Sequence, residues 1–117
     1  PGVVVVWLCL LRRVVNRFGV AAEGEATFRA DVQAAHELLA ARPGYVSGQV
    51  GRNLDDPSLW VLTTTWEHVG AYRRALSAYD VKLGAVPLLS RAVDEASAFE
   101  VVEPGTVLNI ESTRSIG

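Results

Sequence analysis

At 117 residues, half of them apolar and 21% charged, the chain has the size and composition of one globular domain, which excludes a disordered segment and a two-domain arrangement. The formal net charge is −2, and the basic residues fall in pairs such as Arg12 and Arg13 rather than in a stripe, so there is no electrostatic footprint for nucleic acid. The single cysteine, Cys9, leaves no intramolecular disulfide, and the expected compartment is the cytoplasm.

The most apolar run, Val3 to Leu11 (VVVVWLCLL), is far shorter than the roughly 20 residues that span a bilayer. Its basic residues follow rather than precede it, unlike a signal peptide, so it reads as a buried strand or an apolar extension over residues 1–13. From Val14 to Val20 the chain alternates: Val14, Asn16, Phe18 and Val20 share one face, and Val15, Arg17 and Gly19 the other. That period of two predicts a strand. Residues 25–42 carry Phe28, Val32, Ala35 and Leu39 at helical spacing, and the RPG at 42–44 ends that helix. Tyr45 to Asn53 and Leu59 to Glu67 are rich in β-formers, with the turn LDDPS between them, and predict a hairpin. Trp60, Leu62, Thr64 and Trp66 then lie on one face of the second strand. Residues 68–79 place Val69, Tyr72, Leu76 and Tyr79 on one helical stripe. Gly84 and Pro87 predict a broken helix next, and Ala96 to Glu103 a last strand before a tail at 104–117.

The order β, α, β, β, α, β predicts an α+β domain over residues 14–103, a ferredoxin-like βαββαβ unit with an antiparallel sheet. Two helices cover one face of such a sheet. The other face carries Val15, Val61, Val101 or Val102 and the threonines, a patch that predicts a second copy packed sheet to sheet.

The stretch Arg42 to Leu76, with its PGY, its LDDP turn and a WE followed five residues later by Tyr72, resembles the antibiotic biosynthesis monooxygenase family of dimeric α+β barrels. The resemblance covers roughly residues 14–103. It implies a homodimer and, for one group of members, a cofactor-independent monooxygenase that oxidises a phenolic, anthrone-like or quinol-type aromatic with O2. Trp66 and Tyr72 match the aromatic pair of that group, and Asn16 stands at the strand position of a polar residue that donates to a substrate oxygen. Leu62 departs from the pattern, because some of those oxygenases carry an amide there. A second group degrades haem with an axial histidine on the second helical segment; residues 69–92 contain no histidine, and Ala75 lies near the place of its aromatic. A non-catalytic ligand-binding dimer or a polyketide cyclase on the same scaffold is a third reading.

The candidate catalytic residues are therefore Asn16, Trp66 and Tyr72. Phe18, Leu62, Thr64 and Leu76 are the candidates for binding substrate. Each has a structural alternative. Trp66 and Tyr72 face the helices, so both rings can simply fill the core. Asn16 is sharper: an amide among Val14, Phe18 and Val20 costs free energy unless it is hydrogen-bonded. His68 is expected on the surface at the start of the second helix and His36 half-exposed beside the first helix's buried stripe. Asp55 and Asp56 are turn formers, and Arg17 is either an interface ion-pair partner or solvent-facing. The two histidines and Cys9 have no metal-ligand spacing, so no metal and no cofactor are expected. The expected partners are a small aromatic substrate, O2 and a second copy of the chain, with no nucleic acid and no membrane.

Overall fold

Alternation makes the first strand, β1 (Arg12–Gly19), and its parity decides the core: Val14, Asn16 and Phe18 are buried while their neighbours in sequence are not. The computed structural model describes residues 11–93, 97–102 and 104, so the apolar run at 1–10 and most of the tail lie outside the described residues. After a turn of 3-10 helix (Ala22–Gly24), α1 (Glu25–Ala40) buries Phe28, Val32, Ala35 and Leu39, the stripe that its period predicts. Strands β2 (Tyr45–Arg52) and β3 (Leu59–Trp66) form the predicted hairpin. Its loop is held by side chains: Asn53 Oδ1 accepts from the amides of Asp55 and Asp56 at 2.8 Å each, and Asp56 Oδ1 accepts from Ser58 Oγ at 2.6 Å. Such local bonds are what Asn and Asp supply in turns.

The four-stranded sheet has the order β2-β3-β1-β4, where β4 is Ala98–Glu100, and every pairing is antiparallel. That order, with the helices packed on one face, is the ferredoxin-like arrangement. The predicted last strand is shorter than expected, and residues 94–96 and 103 lie outside the described residues. On the opposite face Val15, Arg17, Val61 and Thr63 are only half-buried, as is Val101, whereas Val102 is exposed. Among the described residues no helix is long and apolar enough to cross a membrane.

The second helical region needs one correction. α2 (Val69–Ser77) stops because Ala78 turns extended, with ψ 142°, and α3 (Tyr79–Gly84) begins in a new direction. Tyr79 therefore leaves the predicted stripe and is 79% exposed. The residues that α2 buries fully are small, Ala71 and Ala75, and this puts Tyr72 and Leu76 on its shoulder rather than underneath it. The cause is the turn before β2. Gly44 has φ +89°, a conformation that L side chains avoid, and a Cβ there would collide with the Ala71 side chain. The amide of Glu67 donates to the Gly44 carbonyl at 2.8 Å and fixes the approach. A short α4 (Val86–Leu89), with a proline in its first turn, completes the predicted broken helix.

Candidate functional site

The site is built from the buried face of β1 and the shoulder of α2. In the β1–β3 register Val14 lies opposite Thr64, Asn16 opposite Leu62 and Phe18 opposite Trp60, so all six point at the helices. Asn16 is the polar exception in this row of apolar groups on β1, at 9% exposure. α2 is positioned by its N-cap: His68 Nδ1 accepts from the Ala71 amide at 3.2 Å, which satisfies a donor the helix leaves open. From there Tyr72 reaches the end of the cleft that Asn16 occupies.

Asn16, Tyr72, Leu76, Lys82, Val86, Leu89 and Ser90 line an open cleft of about 560 Å³ between β1, α2, α3 and α4, which is the size range of small-molecule sites. Leu76, Val86 and Leu89 make its aliphatic walls. Its polar residues are Asn16, Tyr72 and the exposed Lys82 and Ser90, and the Ser90 hydroxyl donates to the Pro87 carbonyl at 2.8 Å. Burial pushes the Tyr72 phenol above the ordinary 10.0, and a hydrogen bond with the Asn16 side chain pulls it back. Burial is the larger of the two effects, so the phenol is held in its neutral form. A groove of similar size along α1, from Ala22 to Gln33, has no buried polar group in its lining.

The remaining sequence candidates stand behind the cleft rather than in its lining. Trp66 is fully buried; its Nε1–H donates to Thr64 Oγ1 at 2.8 Å, so the indole and the threonine satisfy each other. Its ring lies 5.5 Å from that of Tyr72, centroid to centroid, and backs the phenol. Phe18 packs on Phe28 at 5.2 Å, and Leu62 is fully buried beside Asn16. Asn16, Tyr72 and Leu76 are the candidates that the fold brings together at the cleft. Sequence reasoning missed Lys82, Val86, Leu89 and Ser90; the break at Gly84 and Pro87 was visible, but not the direction in which it turns these residues. Among the described residues no cluster of His, Cys, Asp and Glu is placed to hold a metal ion.

The profile of the family described as antibiotic biosynthesis monooxygenase matches residues 12–84, more than half of the chain and all of the elements that build the cleft up to Lys82. The chain belongs to the antibiotic biosynthesis monooxygenase family. Membership supports a monooxygenase-type function and leaves the substrate open. Among solved structures, the chain is similar to SnoaB, a cofactor-independent oxygenase from Streptomyces nogalater, with 26% identity, a TM-score of 0.68 and coverage of 80% of this chain and 94% of that one. A conserved protein from Methanosarcina mazei Go1 shares the fold at 20% identity and a TM-score of 0.70, over 84% of this chain and 99% of that chain. So does a family member from Nitrosomonas europaea, at 13% identity and a TM-score of 0.65, over 80% and 92% of the two chains. No curated protein sequence matches.

Proposed function

We propose that this chain is a cofactor-independent monooxygenase that oxidises a small phenolic, anthrone-like or quinol-type aromatic in the cleft beside Asn16 and Tyr72. The observation that carries the reading is the nearly buried Asn16 amide, which shares with Tyr72 a cleft whose walls are Leu76, Val86 and Leu89. The likeness to SnoaB supports it. A flat aromatic ring fits between Leu76, Val86 and Leu89, and its oxygen meets the donors of Asn16 and Tyr72. Lys82 adds a positive charge at the same cleft and favours an acidic substrate held as its anion.

The chemistry then needs no redox centre from the protein. A substrate carbanion or phenolate gives one electron to O2, and the resulting radical and superoxide combine to a hydroperoxide. Loss of water leaves the carbonyl: for an anthrone, the CH2 group and O2 become C=O and H2O. The protein's part is to bind the ring, lower the cost of the anion through Asn16, Tyr72 and Lys82, and hold the reacting carbon away from bulk water. Trp66 and Thr64 hold Tyr72 from behind, and Phe18 and Leu62 pack the floor.

The half-buried sheet face with Val15, Val61 and Thr63 is the proposed seat of a second copy, which makes the working unit a homodimer. Oxygen uptake by chelator-treated protein, measured with an anthrone, a hydroquinone and a hydroxynaphthoate, tests the function. The expected result is uptake that produces the quinone without added metal or flavin, with a preference for the acidic phenols. No uptake with any of these, or uptake that appears only on adding a cofactor, overturns it.

A further inference from the structure

His36 and Tyr45 take no part in the cleft. Tyr45 opens β2 and meets His36 of α1, with its hydroxyl 2.7 Å from His36 Nε2. Room for the pair is made by Gly48: a Cβ there would stand 2.7 Å from both His36 Nε2 and the Tyr45 oxygen, and 2.8 Å from the Thr63 carbonyl. A glycine inside a strand often marks such a close approach. Behind the pair, the Tyr45 ring stands edge-on to Trp66, centroids 5.4 Å apart and planes at 87°. Trp66 in turn meets Tyr72 at 5.5 Å and 55°. Four rings, His36, Tyr45, Trp66 and Tyr72, thus run without interruption from a half-exposed position on α1 through a fully buried indole to the cleft wall.

Aliphatic side chains would fill this volume as well. Tyrosine and tryptophan add the capacity to lose one electron, and a phenol loses one readily only when its proton has an acceptor. Burial pushes the Tyr45 phenol up, so it stays protonated at neutral pH and its oxidation must release a proton. In the tautomer with its hydrogen on Nδ1, His36 offers Nε2 to that proton.

We propose that the His36–Tyr45–Trp66–Tyr72 stack is an electron relay that reduces radicals formed in the cleft, with Tyr45 the terminal donor and His36 its proton acceptor. The oxidant is a peroxyl or hydroperoxyl radical, the class that oxygen chemistry in the cleft releases when a turnover fails. It takes the hydrogen atom of the Tyr72 hydroxyl: that O–H bond breaks, a hydroperoxide O–H bond forms, and Tyr72 is left a phenoxyl radical. One electron then passes from Tyr45 through Trp66 to Tyr72, which regains a proton from water in the open cleft. Tyr45 gives its proton to His36 Nε2 and becomes the phenoxyl radical. A soluble reductant such as ascorbate or a thiol returns the electron at this half-exposed position, and His36 returns the proton. The protective role rests on the oxygen chemistry proposed above; the relay does not.

The test needs no substrate. A ruthenium polypyridyl photo-oxidant is attached at the cleft through Lys82→Cys, in a Cys9→Ser, Tyr79→Phe background that leaves only the two relay tyrosines of the chain's three. After a flash with an electron-accepting quencher, the tyrosyl radical is followed by transient absorption and, after freezing, by electron paramagnetic resonance. The expected radical rests on Tyr45: Tyr45→Phe returns the signal to Tyr72, and His36→Gln or Gly48→Ala slows its transfer and removes the solvent-deuterium effect. Circular dichroism confirms that each variant is folded, and Tyr45 and His36 are both half-exposed positions. A radical whose spectrum and decay are the same in the parent, Tyr45→Phe and His36→Gln proteins overturns the relay, whatever the fate of the oxygenase reading.

Discussion

Thr64→Val asks how much of the site's support is one hydrogen bond. Trp66 is fully buried and Thr64 1% exposed, and the indole Nε1–H donates to Thr64 Oγ1 at 2.8 Å. Valine keeps the branched shape and deletes the acceptor. A buried donor left without a partner costs about 1–3 kcal/mol, more than the net worth of an ordinary hydrogen bond. In a domain of this size each 1 kcal/mol lowers Tm by roughly 4 °C or somewhat more, so a fall of several degrees is expected. Trp66→Phe removes the donor itself at the cost of a partial cavity. In that background Thr64→Val leaves nothing unpaired, and its cost is expected to vanish, giving a coupling of about 1–3 kcal/mol in the double-mutant cycle. Urea unfolding followed by far-ultraviolet circular dichroism measures this, with midpoints that shift at constant slope. A Thr64→Val protein as stable as the parent, or an equal loss in both backgrounds, refutes the pairing of indole and threonine.

Gly44→Ala combines a left-handed backbone penalty of about 1–2 kcal/mol with overpacking against Ala71, and is expected to lower the urea midpoint and displace α2 together with Tyr72. An unchanged midpoint would contradict the role given to that turn. Tyr72 has a folded-state pKa above the unfolded value near 10.0, so its contribution to stability is fully present below that pH and is lost as pH rises through the folded pKa. Tyr72→Phe should therefore flatten the fall of stability in the alkaline range; an identical alkaline slope counts against a buried phenol. Sedimentation equilibrium at micromolar concentration should give a dimer, and charge placed on the sheet face through Val15→Glu or Val61→Glu should split it into folded monomers. A parent protein that is already monomeric would remove the second copy from the account.

What the sequence made legible follows the strength of each periodic signal. α1 was readable because all four residues of its stripe are large or tightly packed and all four are buried. Strand parity put Asn16 on the helix-facing side, where it lies. In α2 the large side chains suggested a stripe running to Tyr79, but the close approach of Gly44 gives the inner face to Ala71 and Ala75. Alanines carry little weight in a hydrophobic pattern, so this phase was hidden. α3 and α4 are too short for any period to show, and the side that Lys82 and Ser90 face is set by the backbone at Ala85. The pairing of His36 with Tyr45 spans a helix end and a turn, and the one local trace of it was a glycine at position 48 in the middle of a β-rich run.

The central claim is that the Asn16 and Tyr72 groups stabilise negative charge on a substrate oxygen. It is tested most directly by kcat/KM for oxygen uptake with an anthrone or quinol in the Asn16→Ala and Tyr72→Phe variants. Losing a donor aimed at developing charge raises a barrier by about 2.7–4 kcal/mol, so each variant should fall by roughly 10²–10³-fold while circular dichroism shows the fold intact. Two folded variants that keep the parent's kcat/KM would mean that this amide and phenol are packing, and that the chemistry takes place elsewhere.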